Sequence, residues 1–190
     1  MAKNYIKKIA LSTIETWIGK NLKRNVIVIG WDVAMRETGV AVIRTTNNSL
    51  ILEQTLKISV PKNIKLLDSI DLFISQLQNF KNKISKQYKI DKNIIEDCFF
   101  LRNVNTLKAL SRFGVLIYTN FKDISKETVF VMPTTARSRI GFKKSGKGIK
   151  GKYLKKEIMN YINGLLLTKI TDDDISDSVV LAICGLVEEE

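Results

Sequence analysis

The sequence predicts an α/β fold in which a five-stranded mixed sheet, three antiparallel strands followed by two parallel ones, carries helices on both faces. Apolar runs separated by short polar turns predict the antiparallel strands in the first third of the chain. Beyond Pro61, helical periodicity alternates with short apolar runs, which is typical of parallel strands joined by helices. The 190 residues, 45% of them hydrophobic, are enough for one domain with a substantial core.

The elements follow one another in an order that defines the sheet. The antiparallel strands are predicted at residues 25–31, 38–45 and 50–60. The two parallel strands are predicted at residues 92–96 and 128–132, and the helices at 64–88, 103–118, 152–167 and 174–186. A mixed sheet of this kind places helices over both of its faces.

Residues 1–24 form a separate N-terminal amphipathic helical extension in this prediction, and residues 25–190 form the domain. Ile14, Trp17 and Ile18 recur at helical spacing, so one or two short helices are expected, packed on the body or on a partner chain. No segment has the apolar length of a signal peptide or a membrane span, so we expect a cytoplasmic protein. Cys98 and Cys184 lie in apolar stretches and are expected to be buried thiols.

The charge and composition restrict the function classes. The net charge of +12 favours a polyanionic partner such as nucleic acid, because neutralised phosphates release counterions. The chain contains no histidine, which excludes a Ser-His-Asp or Cys-His site and a His-ligated zinc centre. Hydrolytic chemistry would therefore depend on carboxylates, lysines or metal ions held by oxygen.

Four carboxylates stand at the ends of predicted elements. Asp32 closes the first strand and Glu96 closes the fourth, so the two emerge side by side if these strands are neighbours. Asp174 and Asp177 share one face of the last helix by their spacing of three. Clustered carboxylates repel one another, and because the lysines lie mostly elsewhere in the sequence, a divalent ion such as Mg²⁺, or Mn²⁺ in its place, is the expected counter-charge. Simpler interpretations exist: Asp32 as a turn residue, Glu96 as an exposed strand end, and Asp172, Asp173 and Asp174 as residues that cap the last helix.

Three segments together resemble the RuvC Holliday-junction resolvases of the ribonuclease-H-like superfamily. They are "VIGWDVAMRETGVAVI", "IIEDCFFLRNVNTLKALSRFGVLI" and "DISDSVVLAICG". The resemblance implies a ribonuclease-H-like fold and a metal site formed by Asp32, Glu96, Asp174 and Asp177. It also implies that Phe99 contacts DNA bases near the junction centre, with core packing as the alternative.

The sequence departs from the family pattern in two places. Cellular members usually have Pro-Gly after the first aspartate, whereas this chain has Val33-Ala34. Asp172 and Asp173 leave the third carboxylate ambiguous by one or two positions. These departures, together with the Lys-, Ile- and Asn-rich composition, favour a phage-encoded relative.

A basic, glycine-containing segment precedes the third of these motifs. Between Glu127 and Glu157 no acidic residue occurs, so the basic side chains of this segment have no carboxylate within it to pair with. The predicted DNA-binding residues in it are Arg137, Arg139, Lys143, Lys144, Lys147, Lys150 and Lys152. Such residues contact backbone phosphates and give affinity without sequence readout. By resemblance, Arg137, Arg139 or Lys152 is also a candidate for assisting at the scissile phosphate.

The expected function is a metal-dependent endonuclease that resolves four-way DNA junctions, with forks and flaps as further branched substrates. Paired nicks require two sites, so a homodimer is expected. A non-catalytic branched-DNA-binding protein on the same fold is the alternative. An ATPase of the sugar-kinase or actin type is disfavoured because it needs two such lobes. The stretch "GFKKSGKG" nearly matches a phosphate-binding loop, but Gly148 stands where Ser or Thr is required, so no nucleotide cofactor is expected.

Overall fold

A six-stranded mixed sheet forms the centre of the molecule. The computed structural model describes residues 7–98 and 104–188. Within these ranges the strands are β1 (Lys7–Ala10), β2 (Ile27–Asp32), β3 (Glu37–Thr45), β4 (Ser49–Ser59), β5 (Ile90–Glu96) and β6 (Ser125–Val131). They lie in the order β1-β4-β3-β2-β5-β6, antiparallel from β1 to β2 and parallel from β2 to β6. The predicted mixed α/β sheet is confirmed.

Helices cover both faces of this sheet. They are α1 (Leu11–Ile18), α2 (Leu66–Ile84), α3 (Val104–Phe121), α4 (Pro133–Arg139), α5 (Gly151–Leu166) and α6 (Asp173–Leu186). On one face, α2 and α3 enclose an aromatic core that includes Trp31, Phe73 and Phe113. On the opposite face, α1, α4, α5 and α6 enclose a second, largely aliphatic core. The alternation of side chains along each strand separates the two cores.

The edge strand β1 is the main departure from the predicted five-stranded sheet. It lies in the N-terminal extension, which was predicted as helical, and it pairs antiparallel with β4. The outer edge of the eleven-residue β4 would otherwise present unpaired backbone groups, which β1 covers in part. A four-residue edge strand with two lysines gives no alternating signal in the sequence. Helix α1 packs on the body, because it buries Leu11 and Ile14; the domain boundary at residue 24 stays a prediction.

The short helix α4 was also missed, since residues 133–139 were not among the predicted helices and lay in the stretch between the last strand and residue 152. Pro133 ends β6, but it is also the first residue of α4, a position where its missing N–H costs nothing. The helix places Arg137 and Arg139 in its last turn. Two of the predicted DNA-binding residues therefore lie on a helix and not in a flexible loop.

Helix α6 lies unusually close to β2 and β3. All residues of α6 from Ile175 onward are buried. A Cβ atom at Gly30 would lie 2.2 Å from the Ser178 carbonyl oxygen, and one at Gly39 would lie 2.1 Å from the Asp174 carbonyl oxygen. These distances are far below van der Waals contact, so α6 takes this position because both strands lack a side chain beneath it.

Two further expectations concern cysteines and membrane spans. Cys184 is buried in α6, as predicted, whereas Cys98 is only half-buried, with its sulfur 3.3 Å from Ser111 Oγ. None of the helices within residues 7–98 and 104–188 is long and apolar enough to cross a membrane.

Candidate active site

Asp32 and Glu96 leave the sheet side by side at the carboxyl ends of β2 and β5. These strands are parallel neighbours, with Trp31 opposite Ile95, so the next residue of each strand lies at the same edge of the sheet. The two carboxyl groups are joined by a hydrogen bond. The sequence-based expectation that they would be adjacent is confirmed. We refer to Asp32 and Glu96 as the strand pair.

Negative charge on Asp32 is disfavoured by its surroundings. Burial, followed by the hydrogen bond to Glu96 and the charges of Glu96, Asp177 and Asp174, raises the pKa of Asp32 well above its ordinary value. A raised pKa means that this environment favours the protonated form of Asp32 more than water does. The strand pair would therefore gain from positive charge placed at its carboxyl groups.

The helix cluster, which we define as Asp172, Asp173, Asp174 and Asp177, faces the strand pair from α6. The Asp174 backbone lies over Gly39, and Gly39 is directly opposite Asp32 in the β2–β3 pairing. Asp177 lies one turn further along and is 9% exposed. Burial raises the pKa of Asp177, as does the charge of Glu96, while Arg137 and Lys155 act in the opposite direction.

Basic side chains neutralise the helix cluster. This was not predicted, because the lysines were expected to lie mostly elsewhere in the sequence. Lys57 Nζ, on β4, lies 2.8 Å from Asp172 Oδ2 and 3.0 Å from Asp174 Oδ2. Lys155 Nζ, on α5, lies 2.6 Å from Asp173 Oδ2 and 3.6 Å from Asp174 Oδ1. Burial by itself would lower the pKa of each lysine, but the hydrogen bonds and charges of these carboxylates raise it above its ordinary value.

The guanidinium of Arg137 completes this set of basic partners. Its Nη2 atom lies 3.4 Å from Asp177 Oδ1. Arg137 belongs to α4, which packs against α6. Each carboxylate of the helix cluster therefore has a cationic partner, whereas in the strand pair the pKa of Asp32 is raised by burial and by other carboxylates.

Three consecutive aspartates form the tightest acidic group in the part of the chain that the structure describes. Carboxylate oxygens of Asp172, Asp173 and Asp174 lie within 4.8 Å of one another. Asp172 Oδ1 also accepts the Ile175 N–H at 3.2 Å and so caps α6, which confirms the capping interpretation for this residue. Of the three aspartates, Asp174 is the one whose charge raises the pKa of Asp32. Asp174 is therefore the member of this trio that belongs with the strand pair.

The predicted DNA-binding residues lie in two places. Arg137 is at the carboxylates, and Arg139 is half-buried on the same helix. Exposed on the segment that leads into α5 are Lys143, Lys144, Lys147 and Lys150, and Lys152 is exposed in the first turn of α5. The Ser145 hydroxyl and N–H both donate to the Glu157 carboxylate, which attaches this segment to α5. Phe99 lies outside the described residues.

Comparison with known proteins identifies the family. The family model described as crossover junction endodeoxyribonuclease RuvC matches residues 28–185. The chain belongs to the RuvC family. It is accordingly a hydrolase of the nuclease type that resolves DNA junctions, and branched DNA is its substrate class. No curated protein matches the chain in sequence.

Solved RuvC-type structures share the fold at low sequence identity. Thermus thermophilus RuvC in complex with a Holliday junction substrate aligns with a TM-score of 0.62 and 10% identity, over 84% of this chain and 92% of that chain. A second Thermus thermophilus RuvC structure gives 0.61 and 11% with the same coverage. The yeast mitochondrial Holliday junction resolvase Ydc2 gives 0.50 and 11%, over 90% of this chain and 83% of that chain. The RuvC-type, ribonuclease-H-like architecture predicted by resemblance is confirmed.

Lys57 and Lys155 are the residues at the site that sequence reasoning missed. Lys155 falls in the basic segment but was not singled out from it. Lys57 has a weak signal, because it is a charged residue between two apolar residues, Leu56 and Ile58. Its relation to the aspartates depends on strand pairing and on the docking of α6, which no local pattern reports.

Proposed function

We propose that this protein is a Mg²⁺-dependent, structure-selective endonuclease that cleaves Holliday junctions and other branched DNA, with Mn²⁺ able to substitute. The proposed catalytic and metal-binding residues are Asp32, Glu96, Asp174 and Asp177. The observation that carries the proposal is the convergence of the strand pair with two carboxylates of α6 at one edge of the sheet. The RuvC family supplies the reaction class, and this convergence supports the choice of residues.

The donor set of the strand pair fits a divalent cation. Asp32 and Glu96 offer only carboxylate oxygens, the ligands that Mg²⁺ and Mn²⁺ prefer. Burial, followed by the neighbouring carboxylates, raises the pKa of Asp32. A cation at this position would compensate the negative charge that these surroundings disfavour. The Asp172 and Asp173 carboxylates fit less well, because Lys57 and Lys155 already bind them.

The proposed reaction is two-metal-ion phosphodiester hydrolysis, in which bound ions would activate water and stabilise the leaving oxygen. The residues of the chain prepare this chemistry. Asp32 and Glu96 must both be ionised to serve as ligands, and a bound cation would favour this form of Asp32, whose pKa is raised in its absence. Asp177 is held by Arg137, whose guanidinium, 3.4 Å away, is also our first candidate for contact with the scissile phosphate. Arg139 and Lys152 are the alternatives for that contact.

The exposed lysines supply the sequence-independent part of DNA binding in this proposal. Lys143, Lys144 and Lys147 precede α5 and have no acidic residue near them in sequence. Their ammonium groups would contact phosphates along one arm of the junction. Phe99, which follows β5 and Cys98 in sequence, is retained as a proposed base contact near the junction centre.

A homodimer with two sites would make the paired nicks that junction resolution requires. We place the interface on α3 and the neighbouring strand β6. The exposed apolar side chains there are Val104, Val115, Tyr118 and Phe130, which are 54%, 52%, 39% and 41% exposed. The rings of Tyr118 and Phe130 lie 6.3 Å apart and form one patch. The biological setting proposed is recombination, repair or phage DNA debranching in the cytoplasm of a bacterial or phage-infected cell.

The test is a nicking assay on a synthetic four-way junction with Mg²⁺ or Mn²⁺. Wild-type protein is compared with Asp32→Asn, Glu96→Gln and Asp177→Asn. Each substitution removes a charge from the carboxylate set and is expected to lower the cleavage rate by at least about 100-fold. Junction affinity, measured in EDTA, is expected to stay close to that of the wild type.

Two outcomes would contradict the proposal. If all three variants still cut, the carboxylate site is wrong. If wild-type protein binds the junction but does not cut it with either ion, the non-catalytic DNA-binding alternative is correct. A second arm tests the basic segment: replacing Lys143, Lys144 and Lys147 by Ala should weaken junction binding and reduce its salt slope by about 1 for each lysine in phosphate contact. An unchanged slope would remove this segment from the binding surface.

A further inference from the structure

Three residues on adjacent strands form a row beneath the N-terminus of α6. Asp32 on β2 is directly opposite Gly39 on β3, and Gly39 is directly opposite Lys57 on β4. Directly paired residues of antiparallel strands point to the same face of a sheet. Asp32 and Lys57 therefore project from the face that α6 covers, on either side of a residue without a side chain.

Asp174 occupies the gap in this row. Its carbonyl oxygen lies where a Cβ of Gly39 would be, at 2.1 Å. Its Oδ2 atom lies 3.0 Å from Lys57 Nζ. The Asp174 carboxylate is thus held between a carboxyl group of the proposed catalytic set on one side and an ammonium group on the other.

The Lys57 ammonium contacts three carboxylates. Lys57 Nζ lies 2.7 Å from Glu37 Oε2, at the start of β3, in addition to 2.8 Å from Asp172 and 3.0 Å from Asp174. It donates hydrogen bonds to Glu37 and Asp172 and forms an ion pair with Asp174. The side chain is 24% exposed, which shields these ion pairs from solvent more than an ordinary surface pair.

We propose that Lys57 is a positioning residue of the nuclease site, which fixes the N-terminus of α6 to the sheet and holds Asp174 beside Asp32. The expected effect of Lys57 on cleavage rests on the proposed function. Its attachment of α6 to the sheet rests on the fold alone. Asp172 caps α6 and also binds Lys57, so the ammonium fixes the first turn of the helix and not one side chain only. Lys155 does not replace it, because its side chain is 45% exposed and its nitrogen lies 3.6 Å from Asp174.

Removal of the ammonium has two opposing consequences. It makes the site more negative, which would favour cation binding. It also leaves Asp172 and Asp174 to repel each other, which would displace Asp174, a proposed metal ligand. Oxygens of these two aspartates and Asp173 lie within 4.8 Å of one another, so the repulsion is short-range. We expect displacement to dominate, because groups that orient metal ligands typically contribute about 10–100-fold in activity or metal affinity.

The experiment compares Lys57→Met, Lys57→Arg and the control Lys92→Met. Lys92 is also a strand lysine, 13% exposed and 3.0 Å from one carboxylate, Glu127, but it lies four residues before Glu96 in β5. The first measurement is amide hydrogen exchange of α6 in metal-free buffer. Lys57→Met is expected to increase exchange of the Ile175 and Ser176 amides, which donate to Asp172, by about tenfold or more, since this turn loses its attachment. Lys92→Met should leave this exchange unchanged.

The second measurement is junction cleavage under single-turnover conditions, together with the rise in melting temperature on adding Mn²⁺. Lys57→Met is expected to cut about 10–100-fold more slowly, with junction affinity unchanged and a smaller Mn²⁺-induced stabilisation. Lys57→Arg, which keeps the charge, should recover part of both. All measurements are made well below each variant's melting temperature, so that a general loss of fold does not mimic the effect.

The outcomes separate this inference from the proposed function. Unchanged exchange in the first turn of α6 in Lys57→Met would overturn the positioning role, as would cleavage at or above the wild-type rate. If exchange increases but the wild-type protein does not cut junctions, the attachment of α6 by Lys57 stands and the proposed nuclease function fails. Equal effects of Lys57→Met and Lys92→Met on α6 would reduce Lys57 to a general contribution to stability and would also overturn the proposal.

Discussion

The strand pair and the helix cluster face each other across the same site, yet they compensate negative charge in different ways. The pKa of Asp32 is raised, first by burial and then by Glu96. The carboxylates of α6 are bound by Lys57, Lys155 and Arg137. In the function that we propose, the strand pair is therefore the part of the site that would take up a divalent ion, because basic side chains already compensate the helix cluster.

The difference follows from where each carboxylate lies in the fold. Asp32 ends a central strand, β2, which has β3 on one side and β5 on the other, and α6 covers this face of the sheet. The first turn of α6 instead lies above β4 and beside α5, and each of these elements contributes a lysine. Helix α6 brings the two groups together only because Gly30 and Gly39 let it lie close to the sheet.

The largest effect is expected from Gly39→Ala, which would separate the helix cluster from the strand pair. The new Cβ atom would lie 2.1 Å from the Asp174 carbonyl oxygen and 2.5 Å from its carbonyl carbon, so the backbone of α6 must move. We expect a loss of about 3 kcal/mol in the free energy of unfolding, or roughly 6–12 °C in melting temperature, together with loss of cleavage. Thermal and urea unfolding measure the first effect and the nicking assay the second.

Gly146→Ala is the matched control for this prediction. Its added Cβ would have Ile149 Cδ1 as nearest neighbour at 3.7 Å, which is ordinary contact. Its expected effect on stability is within about 0.5 kcal/mol. Equal stability of both variants would mean that α6 does not need the close approach to β3.

The sequence predicts the strand pair better than it predicts the neutralisation of the helix cluster. Asp32 and Glu96 each follow an apolar strand, and β2 and β5 are parallel neighbours, so placing them required only element order. The spacing of Asp174 and Asp177 likewise indicates a shared helix face. The family resemblance added which carboxylates belong together.

Features that depend on register and on edge pairing were not predictable. Lys57 lies opposite Gly39 because β3 and β4 pair with a register shift at Val42/Ile43, and no local pattern encodes that irregularity. Strand β1 is too short to show alternation, and it forms because the edge of β4 is available to pair. The position of Lys57 depends on an irregular strand pairing, and strand β1 depends on pairing with a segment distant in sequence. Neither leaves a periodic pattern in the sequence.

A smaller effect, of opposite sign, is expected from Asp32→Asn in metal-free buffer. The raised pKa means that the native state binds more protons than the unfolded state. The stability of the wild-type protein should therefore fall as pH rises from about 3.9, the ordinary pKa of Asp, toward the raised native value. Asparagine can still donate a hydrogen bond to Glu96 but carries no charge, so the variant should avoid this loss.

Melting temperatures in EDTA at pH 4 and pH 7 measure this effect. Asp32→Asn is expected to melt higher than the wild type at pH 7, by about 2–4 °C for each kcal/mol of relieved repulsion, and the difference should shrink at pH 4. Saturating Mg²⁺ should stabilise the wild type more than the variant and so reduce the difference at pH 7. A variant that melts lower than the wild type at pH 7 in EDTA would show that the strand pair is not under electrostatic strain.

The smallest effect is expected from Asp173→Asn, which tests the same contrast on the helix cluster. The hydrogen bond from Lys155 lowers the pKa of Asp173, so this carboxylate stabilises the native state above its ordinary pKa of about 3.9, and the contribution is lost as pH falls through the lowered value. Both side chains are 45% exposed, so the variant should lose only about 0.2–1 kcal/mol of unfolding free energy at pH 7.

Because solvent screens such a pair, the loss should largely vanish in about 1 M salt, where the Debye length is about 3 Å. Melting temperatures of both proteins in dilute and concentrated salt provide the measurement. A stabilised Asp173→Asn variant, resembling Asp32→Asn, would mean that Lys155 does not compensate this charge and that the two sides of the site are electrostatically alike.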